Sequence, residues 1–258
     1  MSATISVVIP VLNDAAMLES CLHALRHQTR PADEIIVVDN GCTDDSVTVA
    51  RRFGARVVTE PRRGITAASA HGFDVAAGMI IARCDADSRV SPDWLERIER
   101  SLAVHPDAVA VTGPASFYDL GPISGAAAKV LYLSGYFVSM RLLLGHTVLF
   151  GSNCAVRADV WRAVSAMVPR DDSEIHDDMD LSYRLPATAD VLYDRGLVVG
   201  ISGRPFDSLR VFGRRLSRAV RTFSLHLPAQ LPHRRWAQRL SAQRRRTTLI
   251  ALPEEARA

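Results

Sequence analysis

The chain has 258 residues, of which 48% are hydrophobic, and a formal net charge of +3. This length and apolar content allow one large or two small domains with a sizeable core, which excludes a globally disordered protein. The charge is uneven: the first 200 residues are acidic as a whole, whereas twelve arginines and one acid, Asp207, lie between Arg204 and Arg246. The basic end predicts an anionic partner, such as a membrane surface, a nucleic acid or a phosphorylated ligand.

Cysteine usage and hydropathy argue against a secreted or membrane-spanning chain. The four cysteines form no CxxC pair and no Cys/His cluster, which is typical of reduced thiols in a cytosolic protein. The N-terminal apolar run follows no basic residue and is broken by Pro10, unlike a signal peptide. The apolar stretches 130–140 and 142–150 are split by Arg141, and each is shorter than the roughly 20 residues that span a bilayer. We expect a cytoplasmic protein, either soluble or peripheral on the inner face of the membrane.

Strand and helix patterns alternate through the first half of the chain. Runs rich in β-branched residues predict buried strands at 5–10, 34–39, 55–59 and 79–85. Helices are predicted between and after them, at 15–27, 46–53, 65–77 and 92–104. Asn13 or Asp14 is expected to cap the first helix, and Asp44 or Asp45 the second. This rhythm predicts βαβ units and a mostly parallel sheet, which binds ligands beyond the carboxyl ends of its strands.

The alternation ends after residue 113. We predict a strand at 153–157, a helix at 159–167, a helical turn at 181–185 after an acidic segment, and short strands at 191–193 and 197–199. In the arginine-rich end, apolar residues recur at i+3 and i+4 steps: Phe212, Leu216, Val220, Phe223 and Leu227. This basic amphipathic helix is of the type that lies in an anionic membrane interface. Packing against its own domain or a partner subunit is the alternative, and nucleic-acid binding is not predicted.

The short strand at 79–85 ends in Asp85-Ala86-Asp87. Side chains at i and i+2 of an extended chain point to the same side, so both carboxylates face one way. Two such oxygen ligands can hold a divalent cation, and that cation can neutralise phosphate charge. The motif therefore indicates a metal-dependent enzyme acting on a phosphorylated or nucleotide substrate. A turn with two solvated carboxylates is the alternative for this motif in isolation.

A series of blocks carries a resemblance to a known family. In chain order they are Val7–Pro10 with Asn13, Ile36–Asp44, Gly64 with the helix after it, Asp85–Asp87, Asp177–Leu185 and Ser202–Arg204. Their types and order resemble a family 2 glycosyltransferase of the GT-A fold, over roughly residues 4–205. The resemblance implies a Rossmann-like α/β domain with a mostly parallel central sheet flanked by helices, followed by the basic helical tail.

The resemblance also implies roles for individual residues. By this resemblance, the residues expected to contact the nucleotide are Pro10, Asn13, Asp39, Arg63, Gly64, Asp85 and Ala86. Asp87 would ligate Mg²⁺ or Mn²⁺ directly, with Asp85 on the ribose or a metal-bound water. For Asp39 the alternative is a helix-capping role in a βα turn, and for Arg63 and its neighbour Arg62 it is a solvated basic turn.

A second acidic cluster contains Asp177, Asp178 and Asp180. An inverting transfer needs a base that takes the proton of the attacking hydroxyl, and Asp178 matches the base position of the family. Asp177 stands where the family has glutamate, so it remains a second candidate for the base. Asp180 is expected to brace its helix through Arg184. An acidic helix N-terminus that complements the helix dipole is the alternative for the cluster.

These expectations combine into one hypothesis. Residues 1–205 form a GT-A catalytic domain, with a nucleotide-binding half at 1–113 and an acceptor-binding half at 114–205, and 206–258 form the tail. The domain moves a sugar from a nucleotide-diphospho-sugar to an acceptor hydroxyl. The segment 126–149 either meets the tail of a lipid-linked acceptor or packs over the sheet. A sugar-1-phosphate nucleotidyltransferase and an inactive membrane-bound adaptor are the alternatives, and the oligomeric state is left open.

Overall fold

The structure is a computed structural model that describes residues 2–121, 133–204, 208–227 and 229–251, with 245–251 described by their backbone alone. Part of the predicted acceptor segment, residues 126–132, lies outside the described residues, as do 206–207 and 252–258 of the predicted tail. None of the helices described is long and apolar enough to cross a membrane.

Strands and helices alternate along the chain as far as residue 83 and less regularly after it. The strands are β1 (Ile5–Val11), β2 (Glu34–Asp39), β3 (Arg56–Thr59), β4 (Ile80–Arg83), β5 (Arg89–Val90), β6 (Ala110–Thr112), β7 (Ala115–Phe117), β8 (Cys154–Arg157), β9 (Val191–Tyr193) and β10 (Val199–Ile201). The helices are α1 (Ala15–Arg26), α2 (Ser46–Arg52), α3 (Ile65–Val75), α4 (Trp94–Val104), α5 (Gly135–Leu144), α6 (Ala158–Val164), α7 (Asp177–Arg184), α8 (Leu209–His226) and α9 (Pro232–Ala251). A 3₁₀ turn, Ser165–Met167, follows α6.

Seven strands form one central sheet in the order β3-β2-β1-β4-β8-β6-β9. β1 pairs in parallel with β2 and β4, and only β8 among these strands runs antiparallel to its neighbours. The prediction of a mostly parallel sheet flanked by helices is therefore confirmed. Val11 at the end of β1 is in register with Asp39, and Val8 with Arg83. The carboxyl ends of β1, β2 and β4 thus lie together at one edge.

Alternate side chains of β1 point to opposite faces of the sheet, where they belong to two separate hydrophobic clusters. Ile9 packs with residues of α1 and α4, whereas Val8 packs with residues of α3, α6 and α7. Each fully buried aliphatic or aromatic side chain contributes roughly 1.5–3 kcal/mol to folding. At Gly72 of α3 an added Cβ would lie 2.3 Å from Val8 Cγ1. This glycine lets α3 lie directly on β1, which positions the start of α3 near the ends of β1 and β2.

The structure departs from the predicted elements in the second half of the chain. A three-stranded sheet, in the order β5-β10-β7, was not predicted, because strands of two or three residues carry no readable periodicity. The helical turn predicted at 181–185 begins four residues earlier, so the acidic cluster lies in the first turn of α7. The last predicted strand, 197–199, is shifted to β10, Val199–Ile201. The second tail helix, α9, has a weaker apolar pattern than α8 and was not predicted as a separate element.

The first tail helix, α8, confirms the predicted basic amphipathic helix and packs on its own domain along one side. Phe223 meets Tyr183 of α7 edge to face, with ring centroids 6.4 Å apart. Thr222 is fully buried and accepts a hydrogen bond from the backbone of His176, which precedes α7. His226 Nε2 lies within hydrogen-bond distance of the buried Asp180 carboxylate, 2.8 Å from Oδ1. The alternative of packing against the same chain therefore holds for this side of α8.

The second tail helix is anchored by Arg235, which is buried. Its guanidinium donates to the carbonyl oxygens of Leu144 at 2.6 Å, Tyr183 at 3.3 Å and Leu185 at 3.0 Å. These carbonyls close α5 and α7, where a helix leaves its own acceptors unpaired. One arginine from α9 thus caps the C-terminal ends of two helices of the domain, including the helix that carries the acidic cluster.

Candidate active site

Asp39 organises the turn that follows β2. Its Oδ1 accepts hydrogen bonds from the backbone N–H groups of Gly41 at 3.0 Å and Cys42 at 2.7 Å. These bonds hold the carboxylate at the carboxyl end of β2. Gly41 has φ +86°, a conformation that side chains rarely adopt. The guanidinium carbon of Arg63 lies only 3.3 Å from where a Cβ on Gly41 would stand. Arg63 and Asp39 therefore border the same turn.

The loop that carries Arg63 and Gly64 is held by Asn40, which sequence reasoning did not single out. Asn40 is buried, and its side-chain amide donates to the carbonyls of Glu60 and Arg62. Its Oδ1 accepts from the backbone N–H of Gly64 at 2.9 Å. An asparagine directly after the Asp39 strand end was the only signal for this role. Arg62 pairs with the buried carboxylate of Glu60 at 2.9 Å, while its side chain stays 46% exposed, in keeping with the solvated turn considered above.

Asn13 lies opposite this turn, but it caps no helix. Its φ is +53°, and its Oδ1 accepts from the backbone N–H of Thr43 at 2.7 Å. The expected caps of α1 are wrong: neither Asn13 nor Asp14 provides one, and Ala15 N–H instead donates to Asp44 Oδ2 at 3.0 Å. Asp44 Oδ1 accepts from Ser46 N–H, so one carboxylate closes the starts of α1 and α2. At α2 the N-cap residue is Asp45, whose side chain makes no cap, and Asp44 supplies the bond to Ser46 from one residue earlier.

The Asp85-Ala86-Asp87 motif follows β4, where Ala86 is buried between the two acids. Asp85 Oδ1 accepts from Arg83 Nη2 at 2.8 Å, and Asp85 Oδ2 accepts from Ser152 Oγ at 2.5 Å. Asp87 Oδ2 accepts from Arg204 Nη2 at 2.6 Å. Burial, together with the negative charge of Asp85, raises the pKa of Asp87 despite the nearby Arg204. Pro10, the remaining predicted nucleotide contact, is buried within β1 next to this edge.

The donor set around Asp87 fits a divalent cation that is shared with a substrate. Among the described residues no group of three His, Cys, Asp or Glu side chains is close enough to hold a metal alone. Mg²⁺ and Mn²⁺ sites that act on nucleotides commonly use one or two carboxylates and complete their shell with phosphate and water. The guanidinium group of Arg204 lies against Asp87. Its Nη2 is 2.6 Å from Asp87 Oδ2 and 2.7 Å from Asp14 Oδ2. The pocket therefore attracts positive charge.

The second acidic cluster occupies the first turn of α7, where its two leading carboxylates point to different partners. Asp178 Oδ2 accepts from Gly151 N–H at 2.9 Å, and its Oδ1 accepts from Met179 N–H. Asp177 Oδ2 accepts from Ser69 Oγ at 2.7 Å and lies 3.3 Å from Arg83 Nη2. Burial raises the pKa of Asp177, although the positive charge of Arg83 opposes that effect.

Asp180 and His176 have structural roles. Asp180 is fully buried and accepts from both Arg184 nitrogens, at 2.9 and 3.0 Å, so the predicted brace is confirmed. His226 of α8 completes the pairing of this carboxylate. The His176 ring bonds the backbone carbonyl of Arg215 at 3.0 Å and so joins α8 to the start of α7.

Arg83 joins the two acidic groups, and the sequence analysis did not assign it a role. It comes from β4, directly before the first motif, and reaches both Asp85 and Asp177. Its signal was a charged residue inside an otherwise apolar strand run. The structure therefore brings Asp39, Arg63, Asp85, Asp87, Asp177 and Asp178 to one edge of the sheet, as two acidic groups joined by one buried cation.

Comparison with known proteins identifies the family. Residues 6–163 match the model described as glycosyl transferase family 2. The putative glycosyltransferase EpsH of Bacillus subtilis is 30% identical over 122 residues, which are 45% of this chain and 36% of that protein. Glycosyltransferase AglE of Haloferax volcanii is 36% identical over 101 residues, 36% of this chain and 33% of that protein. The aligned region thus spans only about a third of these relatives.

Solved structures share the fold. A mannosyltransferase from Pyrobaculum calidifontis, solved with GDP-Man and Mn²⁺, superposes with a TM-score of 0.72 at 20% identity, over 94% of this chain and 69% of that one. Glucosyl-3-phosphoglycerate synthase from Mycobacterium tuberculosis, solved with Mn²⁺ and UDP-Glc, gives 0.62 at 23% identity, over 83% of this chain and 76% of that one. The expected GT-A fold is confirmed by these neighbours. With the family model covering well over half of its residues, the chain belongs to glycosyl transferase family 2.

Proposed function

We propose that this protein is an inverting, metal-dependent glycosyltransferase that moves a sugar from a nucleotide-diphospho-sugar to an acceptor hydroxyl. The observation that best supports this proposal is that two separate acidic groups lie at one edge of the sheet, Asp85 with Asp87 and Asp177 with Asp178. One group faces the nucleotide turn, where a leaving diphosphate would lie. The other provides a carboxylate for the attacking hydroxyl.

The donor would lie across the ends of β1, β2 and β4. Asp39 is available to accept from a ring N–H of the base, and Asn13 and Gly64 flank the same turn. Arg63 is exposed beside Gly41 and would contact the diphosphate through its guanidinium. Pro10 and Ala86 would line the floor beneath the nucleotide. In the related structures the bound donors are GDP-Man and UDP-Glc, so both nucleotides are donor candidates for this chain.

Asp87 is assigned to Mg²⁺ or Mn²⁺, with Asp85 beside it on the ribose or a metal-bound water. A divalent cation, when bound, would neutralise negative charge on the leaving diphosphate. Arg204 now balances Asp87 and Asp14 and is available to turn toward the phosphates. With a divalent cation bound, that cation and Arg204 would together offset the negative charges of Asp85 and Asp87 and part of the charge of the diphosphate.

Asp178 is assigned as the base. Its carboxylate is only partly buried and is fixed by two backbone N–H groups, which leave lone pairs for a substrate hydroxyl. Asp177 is the weaker candidate, because its carboxylate is turned toward Ser69 and Arg83 and its side chain is 13% exposed. The assignment leaves Asp178 to take the proton in an in-line displacement at the anomeric carbon.

Donor binding tests the proposal. We expect calorimetry to detect binding of UDP or GDP in the presence of Mn²⁺, and weak or no binding after chelation, because Asp85 and Asp87 would otherwise repel the diphosphate. Proton NMR of the turned-over nucleotide sugar should then show a product of inverted anomeric configuration. Equal affinity with and without Mn²⁺ would contradict the metal site, and a retained configuration would contradict the inverting mechanism.

We further propose that the acceptor is lipid-linked and that α8 lies on an anionic membrane at the cytoplasmic face. Leu209, Leu216 and Val220 recur at i, i+7 and i+11, and are 91%, 58% and 59% exposed. The helix carries five arginines and no acid: Arg210, Arg214, Arg215, Arg218 and Arg221. Three of them form ion pairs with Asp172 or Glu174, which attach α8 to the domain. Leu209, Leu216 and Val220 remain exposed on the helix.

Vesicle flotation tests this surface without truncation, since removal of α8 and α9 would also remove the partners of α7. Leu216→Ser with Val220→Ser should reduce binding to phosphatidylglycerol-containing vesicles at least about tenfold, because two buried aliphatic side chains contribute roughly 2–3 kcal/mol. Val104→Ser, which changes a similarly exposed residue of α4, is the matched control and should float like the native chain. Equal flotation of all three proteins would refute the membrane surface.

A further inference from the structure

Arg83 is the one residue that contacts both acidic groups among the described residues. Its side chain is 5% exposed and comes from β4, at the centre of the sheet. Nη2 lies 2.8 Å from Asp85 Oδ1 and 3.3 Å from Asp177 Oδ2. A single guanidinium nitrogen therefore lies between the carboxylate assigned to the leaving-group side and a carboxylate next to the base.

The surrounding chain is shaped around this guanidinium. A Cβ added at Gly151 would lie 1.8 Å from Arg83 Nη1, a distance that no side chain could occupy. The same Gly151 donates its backbone N–H to Asp178 Oδ2 at 2.9 Å. Ser152, the next residue, donates to Asp85 Oδ2. One short turn thus accommodates Arg83 and at the same time fixes a carboxylate of each acidic group.

The charges make Arg83 an energetic necessity for this geometry. An arginine stays protonated in proteins, so Arg83 brings a full positive charge to within 2.8 Å of Asp85 and 3.3 Å of Asp177. Without it, the mostly buried carboxylate of Asp177 would keep, among the described residues, the hydrogen bond from Ser69 but no positively charged partner. Removing one partner of a buried pair leaves an uncompensated charge, which is strongly destabilising.

We propose that Arg83 is a positioning residue that couples the two halves of the site. It orients Asp85 toward the metal and nucleotide, and it draws Asp177 away from the acceptor so that Asp178 alone meets the attacking hydroxyl. This proposal rests on the proposed function. It goes further by assigning a shared support to the leaving-group side and the base side, which are otherwise separate chemical centres.

The test compares Arg83 with another arginine of the sheet. Arg157 ends β8 and donates to the carbonyls of Leu102 and Ala108, with no carboxylate partner among its hydrogen bonds. Arg83→Met should lower the Mn²⁺-dependent affinity for UDP or GDP roughly 10–100-fold, the usual effect of losing an outer-shell partner. Arg157→Met should lower the thermal midpoint while leaving that affinity unchanged.

Two further variants keep the test decisive if Arg83→Met folds poorly. Arg83→Met with Asp177→Asn removes the buried pair together, so we expect its thermal midpoint to recover while its Mn²⁺-dependent affinity stays low. Arg83→Lys retains the charge, but its shorter side chain places the nitrogen farther from both carboxylates, and it should show a partial loss of affinity.

The outcomes separate this proposal from the proposed function. Native affinity in Arg83→Lys and in the double variant would overturn the positioning role, because Arg83 would then be only a counterion of Asp177. If the native chain itself showed no Mn²⁺-dependent nucleotide binding, the proposed function would fail and the role of Arg83 would fall with it. Lowered affinity in every Arg83 variant, with Arg157→Met unchanged, would support the coupling.

Discussion

Replacement of Asp178 by asparagine is expected to lower the turnover of the nucleotide sugar by about 10²–10⁴-fold, the range for loss of a general base. Asparagine keeps the size of the side chain and can still accept from Gly151, but it cannot take a proton. Binding of UDP or GDP with Mn²⁺ should stay unchanged, because our proposal assigns Asp178 to the acceptor and not to the nucleotide. Steady-state turnover and calorimetry on the same preparation measure both quantities.

Asp177→Asn is the matched control for this prediction. It neutralises the neighbouring carboxylate on the same helical turn, while an amide oxygen can still accept from Ser69. We expect a smaller loss of turnover than in Asp178→Asn. A larger loss in Asp177→Asn, with turnover retained in Asp178→Asn, would move the base to Asp177.

Replacement of Asp87 by asparagine should abolish the Mn²⁺-dependent part of nucleotide binding. A direct carboxylate ligand is removed, so the loss should exceed the roughly 10–100-fold effect of an outer-shell partner. The fold should persist, because Asp87 is held mainly by the exposed Arg204 and packs in no hydrophobic cluster. Calorimetric titration of UDP or GDP at fixed Mn²⁺, with a thermal melt of the same sample, tests both statements.

Asp14→Asn provides the comparison for Asp87. Asp14 binds the same nitrogen of Arg204, at 2.7 Å, but lies outside the Asp-x-Asp motif. This variant releases Arg204 from one partner and leaves the motif intact, so metal-dependent binding should be retained. An equal loss in both variants would mean that Arg204, not the carboxylate of Asp87, governs nucleotide affinity.

Local patterns were sufficient to predict the strands and helices of the first 104 residues. β1, β2 and β4 are short β-branched runs that end in polar turns, and their buried faces need no long-range information. Parallel strands align their carboxyl ends, so Asp39 and Asp87 could be expected at one edge before any distance was known. The Asp85-Ala86-Asp87 motif was read in the same way, from the strand that precedes it.

Several partners of the site carboxylates could not be predicted, because they come from distant parts of the chain. Arg204 reaches Asp87 across 117 residues, and Ser69 reaches Asp177 across 108. The antiparallel β8 inserts next to β4 and brings Gly151 against Arg83, a pairing that no local periodicity encodes. The start of α7 was misplaced because charged residues in its first turn carry no apolar signal, although the helix dipole favours them there.

The capping of α7 by the tail bears on how the protein matures during synthesis. The helix that carries Asp178 ends at Arg184. Its terminal carbonyls are paired by Arg235 and its Asp180 by His226, and both partners lie later in the chain. The chain leaves the ribosome from its N-terminus, so His226 and Arg235 emerge about 50 residues after the α7 groups that they pair with. We expect α7 to be fixed on the domain only after both tail helices have been synthesised.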